Sequence, residues 1–473
     1  MANIKINKTD SVKTLCLISL GCTKNLVDSE VMLGKLKDYT LINSPKQADL
    51  IIINTCGFIA SAKQESIEKI LEVGMQKKKG AILVVSGCLS ERYANELKEE
   101  IREIDIISGV GDYNKIDLMI KDLQNKQNKI PTNSTSTLNL DSLNIASSNI
   151  ALNRVKTFLI DKEERIVTGS KIHTYIKISE GCNQKCSFCA IPNIKGKLNS
   201  RSIESCINEM ENLVKKGYFD FSFIAQDSSS YMRDLGKNDA LVDLINEVEK
   251  IKGIRSARIL YLYPSTTSNR LIERIIDSKV FQNYFDIPLQ HISSSMLSVM
   301  KRGASQARHI ELLNLMRSAK DSFIRTTFLL GHPKESESDF EELCDFVENF
   351  IFDRINIFAF SKEEGTKAYD MNDLPSKEVT NERIKKLDKI IQKQQKKLLK
   401  SYVGETLTAI IEGVSKESNL LYSARDVKWD REIDGEILIN ENLTSSALEC
   451  GYYEVKVQDF NNGYLIGKAI KRL

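Results

Sequence analysis

Histidine is scarce in this chain of 473 residues: there are four, His173, His291, His309 and His332. A metal site built mainly from imidazoles is thereby excluded. Neither charge is in clear excess, since 67 Lys and Arg stand against 64 Asp and Glu. The global basic footprint of a nucleic-acid binder is missing, so charge has to be read segment by segment. Long apolar runs are missing too. The longest, TLCLISLG and LIIINTCGFIA, fall well short of the roughly 20 residues that span a bilayer. The first twenty residues carry no extended apolar core followed by a small-residue cleavage site, and the expected location is cytoplasmic.

Cysteine, by contrast, occurs ten times. In a reducing compartment these are not expected to pair as disulfides. Metal or redox chemistry is the better expectation, and thiolates suit iron–sulfur clusters and zinc.

The chain is too long for one ordinary domain. Up to about residue 120, β-rich runs at Thr14–Leu20, Leu50–Asn54 and Ala81–Ser86 alternate with helical patterns. That alternation predicts an open parallel α/β sheet over residues 12–120. A linker or insertion is expected over 121–165. Its stretch Lys121–Ile150 is rich in Asn, Ser and Thr and lacks aromatics, so it cannot bury enough apolar surface to offset its chain entropy. Over 166–400, strands are predicted at Thr174–Ser179, Phe221–Ala225, Ala257–Leu262, Tyr284–Ile287, Ile324–Leu330 and Arg354–Phe360, with helices between them. Six βα units in series predict a partial (β/α)6 barrel. Lys377–Lys400 predicts one amphipathic helix with lysines on its outer face. A packed connecting helix with a solvated face is the simpler reading, ahead of an RNA-binding helix. Five short runs in 402–473 predict a small antiparallel β-barrel of the OB type.

The sharpest motif is Glu180-Gly-Cys182-Asn-Gln-Lys-Cys186-Ser-Phe-Cys189. Three cysteines at C-x3-C-x2-C follow a predicted strand, so three thiolates can reach one cluster from a single loop. An electron-transfer 4Fe-4S cluster takes four cysteines. Three leave one iron open, where S-adenosylmethionine can bind and be cleaved reductively to a 5′-deoxyadenosyl radical. A zinc site with a distant fourth ligand is the competing reading, but zinc sites usually pair two C-x2-C elements or add histidines. The loop is predicted at the carboxyl end of the first barrel strand, where barrel enzymes hold their active sites.

Cys22, Cys56 and Cys88 each follow a predicted strand of the first segment. Ligands of open parallel sheets bind outside the carboxyl ends of the strands, so the three can converge on a second cluster. Three separate buried core thiols are the alternative. Cys16, Cys206, Cys344 and Cys450 are expected to be packing residues.

Several segments then resemble the methylthiotransferase family of radical S-adenosylmethionine enzymes. They are Ser19-Leu-Gly-Cys-Thr-Lys-Asn-Leu-Val-Asp-Ser-Glu30, Lys177–Pro192, Ile224-Ala-Gln-Asp227, Leu260-Tyr-Leu-Tyr-Pro264, Asp286-Ile-Pro-Leu-Gln-His291, Arg325-Thr-Thr-Phe328, Glu363-Glu-Gly-Thr366 and Ile433-Asp-Gly435. The resemblance covers nearly the whole chain. Within the family it is closest to the ribosomal-protein aspartate branch, because tRNA-modifying members typically show Gln-Met-Asn where Thr23-Lys-Asn25 stands. There are departures. Gly331-His-Pro-Lys-Glu-Ser336 replaces the usual Gly-Phe-Pro-Gly-Glu-Thr, and Asn199-Ser-Arg201 replaces Arg-Ser-Arg.

The resemblance implies an N-terminal cluster domain, a radical barrel and a C-terminal TRAM domain, with two 4Fe-4S clusters and S-adenosyl-L-methionine as cofactors. It implies transfer of a methylthio group to the β-carbon of an aspartate in the small-subunit ribosomal protein twelve, with a reduced flavodoxin or ferredoxin and a sulfur donor as partners. RNA contact is expected only in the context of the ribosome. Gln226, Arg325 and Arg201 are candidate S-adenosylmethionine contacts from their places near strand ends or just after the cluster loop. A tRNA adenosine methylthiotransferase is the alternative within the family. A non-catalytic iron–sulfur protein for electron transfer or RNA sensing is the alternative outside it. Residues 402–473 hold 8 basic and 12 acidic residues, a balance that suits a basic ribosomal protein better than a phosphate backbone. The stretch Asp426–Glu436 alone holds five acidic residues, and Trp429, the single tryptophan, is a candidate for that recognition surface or else a barrel core aromatic.

Overall fold

The structure, a computed structural model, describes residues 13–128, 149–151 and 164–473. The chain divides into two compact units, Met1–Ile166 and Val167–Leu473.

The first unit is built on a six-stranded parallel sheet: β1 (Thr14–Ser19), β2 (Thr40–Leu41), β3 (Leu50–Thr55), β4 (Ile82–Gly87), β5 (Ile106–Ser108) and β6 (Asn149–Ala151). Their order is β2-β1-β3-β4-β5-β6. Every residue of β3 and β4 is buried, as expected of central strands covered on both faces. The helices are α1 (Thr23–Lys35), α2 (Ala60–Gln76), α3 (Cys88–Glu100) and α4 (Ile116–Asn128). The linker expected from Lys121 needs correction. Helix α4 continues through Asn128, and Asn149–Ala151 pairs in parallel with β5. The rest of that segment, 129–148 and 152–163, lies outside the described residues. Glu30 of α1 forms a buried ion pair with Arg165, which ties the end of the unit back to its first helix.

The second unit begins with a parallel sheet in the order β14-β13-β12-β11-β10-β7. Strand β7 is His173–Lys177, and a short hairpin, β8 (Ser179–Glu180) with β9 (Asn199–Ser200), follows it. The other strands are β10 (Asp220–Ile224), β11 (Ser256–Ile259), β12 (Phe281–Asp286), β13 (Phe323–Leu330) and β14 (Arg354–Ala359). The expected partial barrel is therefore present, its strands laid side by side in chain order. Helices α5 (Ile191–Lys195), α6 (Ile203–Lys215), α7 (Ala240–Val248), α8 (Asn269–Ile276), α9 (Ser294–Val299), α10 (Gln306–Arg317) and α11 (Glu337–Asn349) lie along its connections. Serines cap several of them: Ser202 accepts from Ser205 N, and Ser336 with Asp339 forms a capping box. Cys206 and Cys344 pack in this core and Cys16 in that of the first unit; Cys450 donates to the Glu412 carbonyl.

Helix α12 (Lys377–Tyr402) leads into a closed five-stranded barrel, β15 (Thr406–Val414), β16 (Tyr422–Asp426), β17 (Ile437–Asn442), β18 (Gly451–Asn461) and β19 (Tyr464–Arg472). One of its pairings, β17 with β19, is parallel.

The loop between β16 and β17 closes the amino-terminal end of the parallel barrel. Arg258 on β11 donates to Asp220 on β10 at 2.7 Å and to the Val427 carbonyl at 2.8 Å. Arg425 pairs with the same Asp220. Asp430 accepts from Tyr175 at 2.9 Å and from Ser222 at 2.7 Å. Asp426, Asp430 and Asp434 are all buried, and Trp429 is 4% exposed with its ring near Phe323 and Tyr402. The acidic stretch thus faces the barrel floor instead of a substrate, and Trp429 is a core aromatic. Composition showed the charge but could not show that Tyr175, Ser222 and Arg325 from other strands meet Asp430 and Asp434.

Candidate active site

The Cys182 loop leaves the carboxyl end of β7 through β8. Gly181 sits at φ +78°, where a side chain would be strained, and an added Cβ would lie 2.1 Å from the Lys197 carbonyl. The glycine lets the loop fold under its own return segment, and Cys182 N donates to the Gly196 carbonyl at 3.1 Å. Gln184 anchors the loop to Asp227 at 2.8 Å, and Ser187 contacts His332 Nε2 at 3.0 Å. His332 occupies one of the departures noted above, so that change is absorbed as a brace for the loop. At another departure Lys334 holds φ +70°, a backbone more natural to the glycine usual there.

Burial is the main cause that pushes Cys182 and Cys189 up to about 12 each; Asp227 and then Cys186 add to the first, and Cys186 adds to the second. Two residues beside Cys186 escaped the sequence reading. Arg302 Nη1 donates to Cys186 Sγ at 3.3 Å, and the Tyr263 hydroxyl lies 3.3 Å from the same sulfur. The Arg302 guanidinium stacks 4.3 Å over the Tyr263 ring. Tyr263 falls in a segment that carried the family resemblance, whereas nothing local marked Arg302.

Gln226 lies just past β10, beside this loop. Its Nε2 donates to Glu180, and its Oε1 is buried and has no hydrogen-bond partner among the described residues. Glu180 is buried, which opposes its ionisation, but Lys177 and Lys195 hold its carboxyl down at about 2. Gln226 is thus placed to meet a donor on a ligand at the strand ends. Arg201 and Arg325 need correction. Arg201 spends its guanidinium on Ser205, the Lys177 carbonyl and Glu209, so it fixes the backbone below the loop. Arg325 is the third residue of β13, near the strand's amino end, and faces Asp434 at 3.8 Å. It belongs to the barrel floor.

In the first unit, Cys22, Cys56 and Cys88 follow β1, β3 and β4, three neighbouring strands. The register sets Ser19 beside Asn54, and Thr55 beside Gly87, so the three cysteines emerge along one edge. Cys22 stands at the N-cap position of α1 and Cys88 opens α3. A glycine adjoins each cysteine. A Cβ on Gly21 would lie 2.7 Å from Cys56 Cβ, one on Gly57 2.7 Å from Leu89 N, and one on Gly87 2.5 Å from the Thr55 carbonyl. The three strand ends can nest only because these positions lack side chains. Asn25, fully buried, donates to the Leu20 and Thr55 carbonyls at 3.0 Å each and accepts from Cys88 Sγ at 4.0 Å. It ties the three ends together. Among the described residues no group of three or more His, Cys, Asp or Glu is placed to hold a single metal ion. Cys182, Cys186 and Cys189 on one loop, and Cys22, Cys56 and Cys88 at one sheet edge, are the thiols that could hold a cluster at each place.

Residues 14–109 match the Uncharacterized protein family UPF0004, and residues 176–347 match the Radical SAM superfamily. Among solved structures, the radical S-adenosylmethionine methyltransferase TsrM from Kitasatospora setae shares the fold with a TM-score of 0.51 and 15% identity, over 73% of each chain. The ribosomal protein uS12 methylthiotransferase RimO of Wolinella succinogenes is 54% identical over 97% of this chain and 99% of its own length. The protein of that name from Helicobacter pylori strain 26695 is 52% identical over 97% and 98%. With half its residues identical over almost the full length of both relatives, and with a cysteine loop and a partial barrel of the radical type, the chain belongs to the ribosomal protein uS12 methylthiotransferase family of radical S-adenosylmethionine enzymes.

Proposed function

We propose that the chain transfers a methylthio group to the β-carbon of an aspartate in ribosomal protein uS12, using two 4Fe-4S clusters. The observation that carries this is the identity over nearly the full chain with relatives of that name. It decides against a tRNA substrate, a choice that the buried acidic loop can no longer make.

Cys182, Cys186 and Cys189 would hold the cluster that binds S-adenosylmethionine, and Cys22, Cys56 and Cys88 a second one. When bound, the first cluster and S-adenosylmethionine supply a radical able to take hydrogen from an unactivated carbon, which no general base could do. The chain's own part is placement. Gly181 and Ser187 fix the loop, Arg302 offers a cationic donor to Cys186, and Gln226 Oε1 accepts from bound S-adenosylmethionine. Gly21, Gly57, Gly87 and Asn25 hold the other three sulfurs at one sheet edge. The functional segments are 12–120, 166–400 and 402–473. A reduced flavodoxin or ferredoxin supplies electrons, a separate donor supplies sulfur, and the enzyme works in the cytoplasm. Among the described residues no helix is long and apolar enough to cross a membrane.

The test is anaerobic reconstitution with iron and sulfide, followed by mass analysis of uS12. About eight irons per chain are expected, and about four after Cys182, Cys186 and Cys189 are all changed to Ala. A wild-type count near four, or uS12 of unchanged mass, sinks the reading.

A further inference from the structure

The outer face of α12 is unusually uniform. Between Lys385 and Lys400 there are seven lysines and a single acid, Asp388. All seven lysines are exposed. At about 100° per residue they fall within an arc of roughly 120°, and they run for about 22 Å along the helix. Asp388 lies off that arc and accepts a hydrogen bond from Gln392. Glu378 and Glu382 share the face but precede the strip. Among the described residues, none of the seven lysines is in an ion pair, and Lys386 alone engages another side chain, its ammonium lying 5.3 Å over the Phe340 ring, so most of the charge is not consumed at home. The opposite face is anchored: Leu387 and Ile391 are buried, and Gln395 donates to the Asp353 carbonyl at 2.8 Å. The strip is therefore straight and held on a packed helix.

We infer that this strip docks an RNA backbone, and that the enzyme meets uS12 on its RNA. The second statement rests on the uS12 reading. A straight row of unpaired cations matches a linear polyanion, whose charges recur at comparable spacing. It would repel a free ribosomal protein, which is itself basic, so it gains nothing from the isolated substrate. A ribosomal protein assembled on its RNA presents both the target aspartate and the phosphates.

The experiment measures anisotropy of a labelled RNA duplex of about two helical turns across a salt series. The proteins are the reconstituted wild type and the variant Lys385→Gln, Lys389→Gln, Lys393→Gln, Lys396→Gln. Seven contacts give a log–log salt slope of at most about −6, and losing four should flatten it by about 3 to 4. Affinity at low salt should fall at least tenfold. The matching Lys→Arg variant should keep both slope and affinity. Turnover should stay within twofold on isolated uS12 but fall at least tenfold in kcat/KM on small ribosomal subunits. Iron content and circular dichroism serve as folding controls. Wild type that does not bind the duplex, or a Gln variant that binds it undiminished, overturns the docking strip. Lost RNA binding with unchanged turnover on subunits overturns the encounter on RNA. Undiminished RNA binding with slower reduction by flavodoxin assigns the strip to an acidic protein and overturns the proposal. If wild type modifies uS12 in no form, the function reading has failed, while the anisotropy result still stands by itself.

Discussion

At the scale of residues, Gly21 and Arg302 make separable demands. Gly21 holds φ +86° with Cys56 Cβ at 2.7 Å from any added methyl. A left-handed backbone costs an L-residue about 1–2 kcal/mol, and here the methyl must also displace Cys56, a candidate ligand. Gly21→Ala is expected to lose about four irons per chain while keeping the other four. Release of 5′-deoxyadenosine should persist and methylthio product should vanish, both read by chromatography. Arg302 acts on the other site. A charge-assisted hydrogen bond is worth roughly 1.5–3 kcal/mol, and it favours the more negative, reduced cluster. Arg302→Met is expected to keep its iron but to shift the cluster potential to more negative values and slow radical formation, as electron paramagnetic resonance at set potentials would show. An unchanged potential would reduce Arg302 to packing. The placing of Cys182, Cys186 and Cys189 on one loop and of Cys22, Cys56 and Cys88 at neighbouring strand ends was legible, because it lies in spacing and in strand pattern. Arg325 was misread for want of direction: a strand pattern locates a residue along a strand but does not weigh which end faces the chemistry.

At the scale of elements, the β16–β17 loop and the first rungs of β7, β10 and β11 share one buried charge network. Burial opposes the ionisation of Asp220, yet Arg258 and Arg425 hold its carboxyl far below the usual carboxylate range. Removing one partner of such a pair strands a buried charge at about 3–5 kcal/mol, whereas apolar replacement of all members can be neutral. Asp220→Asn should therefore lose about 3–5 kcal/mol in urea unfolding, and Asp220→Leu with Arg258→Met and Arg425→Met should lose far less. The pH dependence has a definite sign. A carboxylate depressed by folding contributes stability fully above its unfolded value of about 4 and loses it as pH falls toward the folded value. Wild type should lose stability steeply below about pH 4, and Asp220→Asn should show a shallower slope there, other depressed carboxylates such as Glu180 and Asp339 supplying the rest. Elements whose burial shows in their own residues, such as β3 with Leu50–Thr55, were plain in the sequence. The loop was not, because its partners Arg258 and Tyr175 lie about 170 and 250 residues away, and charge alone reads as surface.

At the scale of the molecule, the two units have separate cores, one on β3 and β4 and one on β10 to β13. Residues 167–473 expressed alone should fold, bind about four irons and cleave S-adenosylmethionine without making methylthio product. Residues 167–403 should instead be insoluble, since Asp220 and Arg258 would keep their charges and lose Arg425 and the Val427 carbonyl. A soluble 167–403 fragment with a cluster would show that the small barrel is an accessory. The order in which a ribosome makes these parts then acquires meaning. The floor of the radical barrel is supplied by Arg425 to Asp434, and Arg425 is translated 205 residues after its partner Asp220. A nascent chain can carry all six candidate cluster cysteines and still lack the residues that close the barrel floor.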